Sequence, residues 1–284
     1  MAKTVLENCD NHALWTPNDA VNFPPSQDEA DKQEGTGSIK VIASSDLLAA
    51  LPQSANVQGY WKLDEQNGNR ADISGKNNTL TDNNTVLYAA GKIGNAADFE
   101  KDTNEYLSIT DAAQTGLDIT GEITIAFWVK LETINLSQAF VTKYSMSDNK
   151  RAYAFTIRGV DNKIQFALSS NGGAATEGRS TSALATGTWY HIAATLNQTT
   201  DLIQTYIAGS ADGDALSYTT DIYDNTRKFL ISGYDDNTGF TNPFDGLIDE
   251  AIVWNKCLTA EEVLKVKNIT GSCLNDYIAR DLGA

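Results

Sequence analysis

The sequence predicts an all-β chain, an antiparallel two-sheet β-sandwich with one short C-terminal helix. Three observations carry that prediction. First, Ile123-Thr-Ile-Ala-Phe-Trp-Val-Lys-Leu131 alternates, with Ile123, Ile125, Phe127, Val129 and Leu131 on one face and Thr124, Ala126, Trp128 and Lys130 on the other. Second, short runs of the same character follow at 152–157, 163–168, 188–196, 203–207, 228–231 and 246–254. Turn signals such as Asp161-Asn162, Asn171-Gly172-Gly173, Asp212-Gly213 and Asp224-Asn225 part them. Such spacing points to a sandwich or barrel rather than a parallel α/β sheet. Third, only Thr259-Ala-Glu-Glu-Val-Leu-Lys-Val-Lys267 reads as a well-signalled helix, because Thr259 and Glu262 form a capping box.

In chain order, residues 1–52 read as an arm or linker and 53–284 as the main domain. The arm holds Pro17, Pro24, Pro25 and the solvated charge run 28–34. Its stretch Gly35-Thr-Gly-Ser-Ile-Lys-Val-Ile-Ala43 ends strand-like, suited to pairing with a sandwich edge or a neighbouring subunit. That makes a homo-oligomer or a virion assembly contact the expected use of the arm. Residues 45–51 predict one or two helical turns, stopped by Pro52.

Charge narrows the partners. The 284 residues carry 37 acids against 21 bases, a formal net charge of −16. Nucleic acid and anionic membrane surfaces are repelled by that balance, which leaves neutral glycans, cations and proteins. No run of about 18 apolar residues exists to insert in a membrane, and residues 1–10 lack the apolar core of a signal peptide. Either a leader was removed or the protein is made in a cytoplasm. Cys9, Cys257 and Cys273 are too few and scattered for a disulfide framework, although Cys257 and Cys273 could bridge. Phosphate-binding and nucleophile-elbow motifs are absent, and the two histidines, His12 and His191, offer no triad; His191 reads as a satisfied structural histidine.

Four stretches together resemble a known family: Gly59-Tyr-Trp-Lys-Leu-Asp-Glu65 with Asp72-Ile-Ser-Gly75; Ile125-Ala-Phe-Trp-Val129; Thr188-Trp-Tyr-His-Ile-Ala193; and Phe244-Asp-Gly-Leu-Ile-Asp-Glu-Ala-Ile-Val-Trp254 running into Leu258-Thr-Ala-Glu-Glu262. In this order, over residues 56–268, they resemble the laminin G-like, concanavalin A-like jelly roll in its pentraxin-related branch. The resemblance implies a structural calcium near Asp249, for which Asp249, Asp72 and Asp64 are the expected ligands. Calcium takes six to eight oxygens from loops, and the chain has oxygen-rich loops at Asp64-Glu65 with Asp72, at 98–104 and at 234–239.

Such folds bind sugars on a concave sheet face or at loop rims, through aromatic platforms and Asn/Asp hydrogen bonds. Among five tryptophans and 11 tyrosines the platform candidates are Trp61, Tyr88, Tyr144, Tyr153 and Tyr234, with Phe240. Trp128, Trp189 and Trp254 sit in strand patterns that favour the core. Tyr234, Asp235, Asp236, Asn237 and Phe240 are therefore the expected ligand-binding rim. Glycosidases of this fold carry E-x-D-x-x-E on a strand; Glu29, Asp31 and Glu34 match the spacing, but in the polar arm, so no catalysis is expected. The expected function is a non-enzymatic binding or structural module of a virion (decoration, fibre or adhesion protein) or an extracellular surface, engaging glycans or a partner protein. A secreted bacterial adhesin or accessory carbohydrate-binding module is the alternative.

Overall fold

The computed structural model describes residues 44–271. The arm strand at 35–43, the Glu29/Asp31/Glu34 match, His12, Cys9 and Cys273 lie outside the described residues. Two antiparallel sheets pack face to face. The first runs β13 (Ser210–Ala211), β12 (Leu202–Ile207), β11 (Trp189–Asn197), β6 (Ile123–Leu131), β18 (Gly246–Trp254), β4 (Asn95–Phe99), β3 (Leu87–Ala90). β1 (Val57–Trp61) also pairs with β18, and β14 (Leu216–Ser217) with β12. The second runs β10 (Thr176–Ala183), β9 (Lys163–Gly172), β8 (Lys150–Ile157), β7 (Gln138–Ser145), β15 (Phe229–Ile231), β5 (Tyr106–Ile109), β2 (Thr81–Asn83).

The predicted alternation of β6 decides which side faces what. Ile123, Ile125, Phe127, Val129 and Leu131 enter the core between the sheets. There Phe127 meets Phe140 and Phe155 edge-on, at 5.5 and 5.3 Å between ring centroids. The opposite face of this sheet is also covered. Ala126, Ala193, Tyr206, Ile252 and Trp254 pack beneath Leu258, Val263, Val266 and Ile269, which belong to α2 (Ala260–Thr270) and the turn before it. The short α1 (Ser44–Ala50) borders the same cluster through Leu47 and Leu48. Both helices stand where the sequence places them, α2 running three residues further.

The expected capping box closes α2: Thr259 Oγ1 accepts the Glu262 amide at 3.2 Å, and Glu262 Oε2 accepts the Thr259 amide at 2.8 Å. Thr259→Ala is expected to cost about 1 kcal/mol, read as a shift in the denaturant midpoint with unchanged slope. No helix among the described residues is long and apolar enough to cross a membrane.

Two features depart from the sequence pattern. The stretch 234–239, read as a loop, is a hairpin of β16 (Tyr234–Asp236) and β17 (Gly239–Thr241). It folds against the outer face of the second sheet, where Tyr234 and Tyr144 cover Ala139, Ala154 and Ala167. The other is a bulge in β18. Asp249 pairs with Trp128 and Ile252 with Ala126, so two residues of β18 oppose one of β6. Glu250, inside it, takes the left-handed conformation at φ 53°. Phe244 and Ile248 face the inter-sheet core before the bulge, and Ala251 and Val253 face it afterwards. The strict alternation expected over 244–254 therefore slips by one residue at Glu250.

Candidate functional site

At the same bulge β18 changes neighbours. Residues 246–248 pair with β4 and 251–254 with β1, so a gap opens between the end of β1 and the start of β4. The chain leaving β1 brings Lys62 and Asp64 to this gap, and the turn before β4 brings Gly91-Lys92-Ile93-Gly94. Asp249 is fully buried. Its Oδ2 accepts the amides of Lys92 and Ile93 at 2.8 and 3.0 Å, while its Oδ1 has no hydrogen-bond partner. Glu250, also buried, accepts the Tyr60 hydroxyl, and its own amide donates to the Lys62 carbonyl at 3.3 Å. Asp64 accepts the Asn95 amide at 3.0 Å and pairs with Lys62 at 2.5 Å.

Glycine is required at both ends of the turn. A Cβ on Gly94, which sits at φ +63°, would lie 2.4 Å from Asp64 Oδ1, and one on Gly91 would lie 2.8 Å from Asp249 Oδ2.

The electrostatics are those of crowded, desolvated acids. Burial and then the Glu250 charge hold Asp249 well above the usual carboxylate range, against the pull of two backbone amides. Burial pushes Glu250 up to about 7, although the Tyr60 hydroxyl and Lys62 draw it down. A cation is the natural complement of such a group. The orphaned buried Oδ1 of Asp249 suits a calcium ion in chemistry, and Glu250 and Asp64 lie at the same gap, although among the described residues the acids whose oxygens converge within 4.8 Å are Asp98, Glu100 and Glu132.

Asp72 is placed differently. Its oxygens accept the amides of Tyr60, Ser74 and Asn78 and the Ser74 hydroxyl, all at 2.8–3.0 Å. It braces the 72–78 turn, and the negative charges acting on Asp249 are those of Glu250 and Asp64. In the acidic loop at 98–104, Asp98 and Glu100 gather with Glu132, their oxygens within 4.8 Å of one another on a largely exposed surface.

The second sheet presents a polar face. Leu107 and Ile109 of β5 enter the core, so Tyr106, Ser108 and Thr110 alternate outward. Beside them Thr81 and Asn83 of β2 pair with Ser108 and Tyr106 in register, and Asn83 Nδ2 donates to Ser108 Oγ at 3.1 Å. This row floors a cleft of about 370 Å³ lined by Asn77, Thr79, Thr81, Asn83, Ser108, Thr110 and Lys228 among others. A second cleft of about 490 Å³ shares Thr110 and Lys228 and continues past Lys150, Arg227 and Asp235. Phe240 stacks on Tyr106 with centroids 4.4 Å apart, which puts an aromatic pair beside Asn83 at the end of the row.

The predicted rim residues divide. Asp235 lines the second cleft, Phe240 stacks on Tyr106 beside the first, and Asn237, which is exposed, accepts from Arg227 at 3.4 Å. Tyr234 is buried against Tyr144. Asp236 is buried too, its Oδ1 accepting the Met146 amide at 2.6 Å and the Ser145 hydroxyl at 3.0 Å, which ties the hairpin to β7. Among the other platform candidates, Trp61 and Tyr153 are fully buried. They donate to the carbonyls of Asn78 and Leu117. Tyr88 is exposed on edge strand β3.

His191 is buried as expected, yet neither ring nitrogen has a hydrogen-bond partner among the described residues. It packs edge-on to Trp128 at 5.3 Å. The groove residues went unread because Thr, Asn and Ser look like loop composition. A signal was there in the period of two through Asn77, Thr79, Thr81, Asn83 and again through Tyr106, Ser108, Thr110.

Residues 101–264 match the model of the concanavalin A-like lectin/glucanase superfamily, more than half of the chain. The chain belongs to this superfamily. The matched span holds the Asp249–Glu250 bulge and β5, whereas Asp64, Gly91–Gly94 and β2 precede it. No curated protein matches this superfamily member. Among solved structures it is similar to domain 4 of AbnA, a GH43 extracellular arabinanase from Geobacillus stearothermophilus, in complex with arabinotriose. That match has 22% identity over 74% of this chain and 98% of that one, with a TM-score of 0.56.

It is also similar to the binding domain of Paraclostridial Mosquitocidal Protein 1, at 15% identity over 77% of this chain and 55% of that one, TM-score 0.61. The binding domain of botulinum neurotoxin serotype D is 13% identical over 75% and 51%, TM-score 0.57. The chain thus spans about half the length of the two toxin binding domains. At these identities the likeness is one of fold.

Proposed function

We propose that this chain is a non-enzymatic glycan-binding module, that its ligand lies in the groove on the outer face of the second sheet, and that calcium braces the gap beside Asp249. One observation carries the reading. Six neutral hydrogen-bonding side chains, Asn77, Thr79, Thr81, Asn83, Ser108 and Thr110, line one cleft, with the Tyr106–Phe240 stack at the end of the row. Amides and hydroxyls both donate and accept, as sugar hydroxyls require, and an aromatic pair offers a flat apolar surface to a sugar ring. The superfamily's lectins and the arabinotriose held by the AbnA domain give the reading its context.

Among the described residues no carboxylate lines this first cleft. Glycoside hydrolysis generally needs two carboxyl groups flanking the bond, so the reading is binding without cleavage. For calcium, Asp249, Glu250 and Asp64 are the side chains that would hold the ion. It would neutralise buried charge and fix the 91–94 turn against β18; no chemistry at the groove is assigned to it. The setting we propose is a virion or an extracellular surface, to be tested by immunogold labelling of intact particles and cells.

A glycan array probed with the purified chain, in calcium and again in EDTA, tests the binding. On the glycan that binds, Thr79→Val and Thr81→Val are expected to weaken affinity at least tenfold while the melting temperature moves by less than about 2 °C, since both side chains are exposed and surface changes of this kind cost little stability. Silence across the array sinks the reading. A second reading, docking of a partner protein, is favoured by β3, an edge strand that leaves Leu87 54% and Tyr88 43% exposed.

A further inference from the structure

We infer that the groove selects a glycan bearing a negative group, and that Lys228, supported by Lys150, is what reads that charge. The inference rests on the groove being the glycan site. The net charge of −16 argues for a neutral ligand, but the side chains lining the two clefts lean the other way, Lys150, Arg227 and Lys228 against Asp111 and Asp235. Lys228 is shared by both clefts, and among the described residues it is the only charged side chain lining the first. Its side chain is 38% exposed, and its ammonium stands 3.9 Å from Asp235 Oδ1, a loose pairing. Lys150, in the wall of the second cleft, donates to Thr226 Oγ1 at 2.8 Å. No carboxylate among the described residues lies within 4.0 Å of its ammonium.

The other cations nearby are already matched. Arg227 is bonded to Asp148 and stands 3.9 Å from Asp235. Lys143, buried, is held by Asp111 and Asp118 at 2.6 and 2.8 Å. Lys228 therefore keeps only its loose contact with Asp235, and Lys150 has no carboxylate among the described residues in direct contact. At physiological salt, charges are screened beyond about 8 Å. A group seated against Lys228 therefore responds to the charges lining the two clefts, Asp235 and Asp111 included, more than to the acids across the rest of the surface. The neutral floor sets the class of ligand. Six amide or hydroxyl side chains beside one cation suit a sugar chain carrying an occasional uronate or other acidic group, with one anionic group to several hydroxylated rings. A polyanion would find one cation along the first cleft and repulsion beyond it.

The test is titration calorimetry of the whole chain with three acidic oligosaccharides, each beside its uncharged counterpart. These are glucuronate-bearing xylo-oligosaccharide against the unsubstituted form, sialyl-lactose against lactose, and a galactose oligosaccharide with and without sulfate. For at least one pair the acidic form is expected to bind tenfold or more tightly. Lys228→Met should bring it down to the level of the neutral form, Lys150→Met should do so in part, and Lys228→Arg should preserve the preference. Each variant is read by its ratio of acidic-form to neutral-form affinity, with the melting temperature confirming that it is folded. A preference confined to the sulfated pair supports the anion reading and names sulfate as its source. Equal affinity for both members of every pair, or a Lys228→Met loss that falls equally on both, overturns the charge reading and leaves the groove standing. Binding to neither member of any pair overturns both.

Discussion

Millimolar calcium is expected to raise the melting temperature of the wild-type chain by roughly 5–10 °C and to leave Asp249→Asn where it stood. The size follows from linkage. A ligand at a hundred times its dissociation constant adds about 2.7 kcal/mol, and each kcal/mol shifts a domain of this size by about 2–4 °C. The selectivity follows from the geometry. Asp249 has one oxygen on two amides and one oxygen without a partner, both buried.

Without an ion, Asp249→Asn removes an uncompensated buried charge and should melt no lower than wild type. Asp72→Asn is the informative contrast. Asp72 holds three amides of the 58–78 region, so its loss should lower the melting temperature while leaving the calcium shift in place. Differential scanning calorimetry of the three proteins, with calcium and with EDTA, decides. A wild type indifferent to calcium, beside a more stable Asp249→Asn, would mean that the gap holds a proton and would end the calcium reading.

Acid is expected to cost the fold about 3 kcal/mol through His191 alone by pH 4. Burial, and then the Lys267 charge, bring this imidazole down to about 3 from its ordinary value of 6.5. Between those values the unfolded chain takes up a proton at His191 and the folded chain does not, so stability falls as pH falls from about 6.5 toward 3. Each pH unit of that window costs about 1.4 kcal/mol. The surroundings give no relief: Trp128 packs edge-on, Lys92 lies over the indole at 5.0 Å, and Lys267 of α2 adds a second positive charge. His191→Leu removes the titrating group and keeps an apolar filler. Urea unfolding at pH 7 and pH 4 should show wild type losing about 3 kcal/mol more than the variant. Equal losses in the two proteins would discard the assignment.

Elements whose pattern is local were legible. β6 alternates although both of its faces are largely buried, because its second face takes Thr124, Ala126, Trp128 and Lys130 while the first is wholly apolar. α2 announces itself because a capping box is a contact between residues three apart. Other strands carried no such mark. β10 turns only Gly178 and Ser180 into buried positions, since a Cβ at Gly178 would meet Ile203 Cγ2 at 2.5 Å where the sheets approach. β7 buries Lys143 and is broken by bulges, so its apolar period is lost. The hairpin at 234–241 reads as a loop because Asp236 spends its carboxylate on the backbone of 146–147, about ninety residues away in sequence.

By itself the sequence determined the class of fold, the inward face of the central strands, the closing helix, and Asp249 with Asp64 as acids in a strand-rich setting. It also held Asp249 and Glu250 side by side in an apolar strand, a juxtaposition that regular alternation would send to opposite faces. Only the tertiary structure decided that the strand bulges there, exchanges β4 for β1, and brings Lys62, Asp64 and the 91–94 turn to the same gap while leaving Asp72 to its own turn. The groove was likewise assembled by folding, from residues 77–83, 106–110, 150 and 226–235. Spacing along the chain carries side-chain direction within one element. Which elements become neighbours is set by burial and strand pairing over the whole sandwich, and a site built between elements has no signature in any one of them.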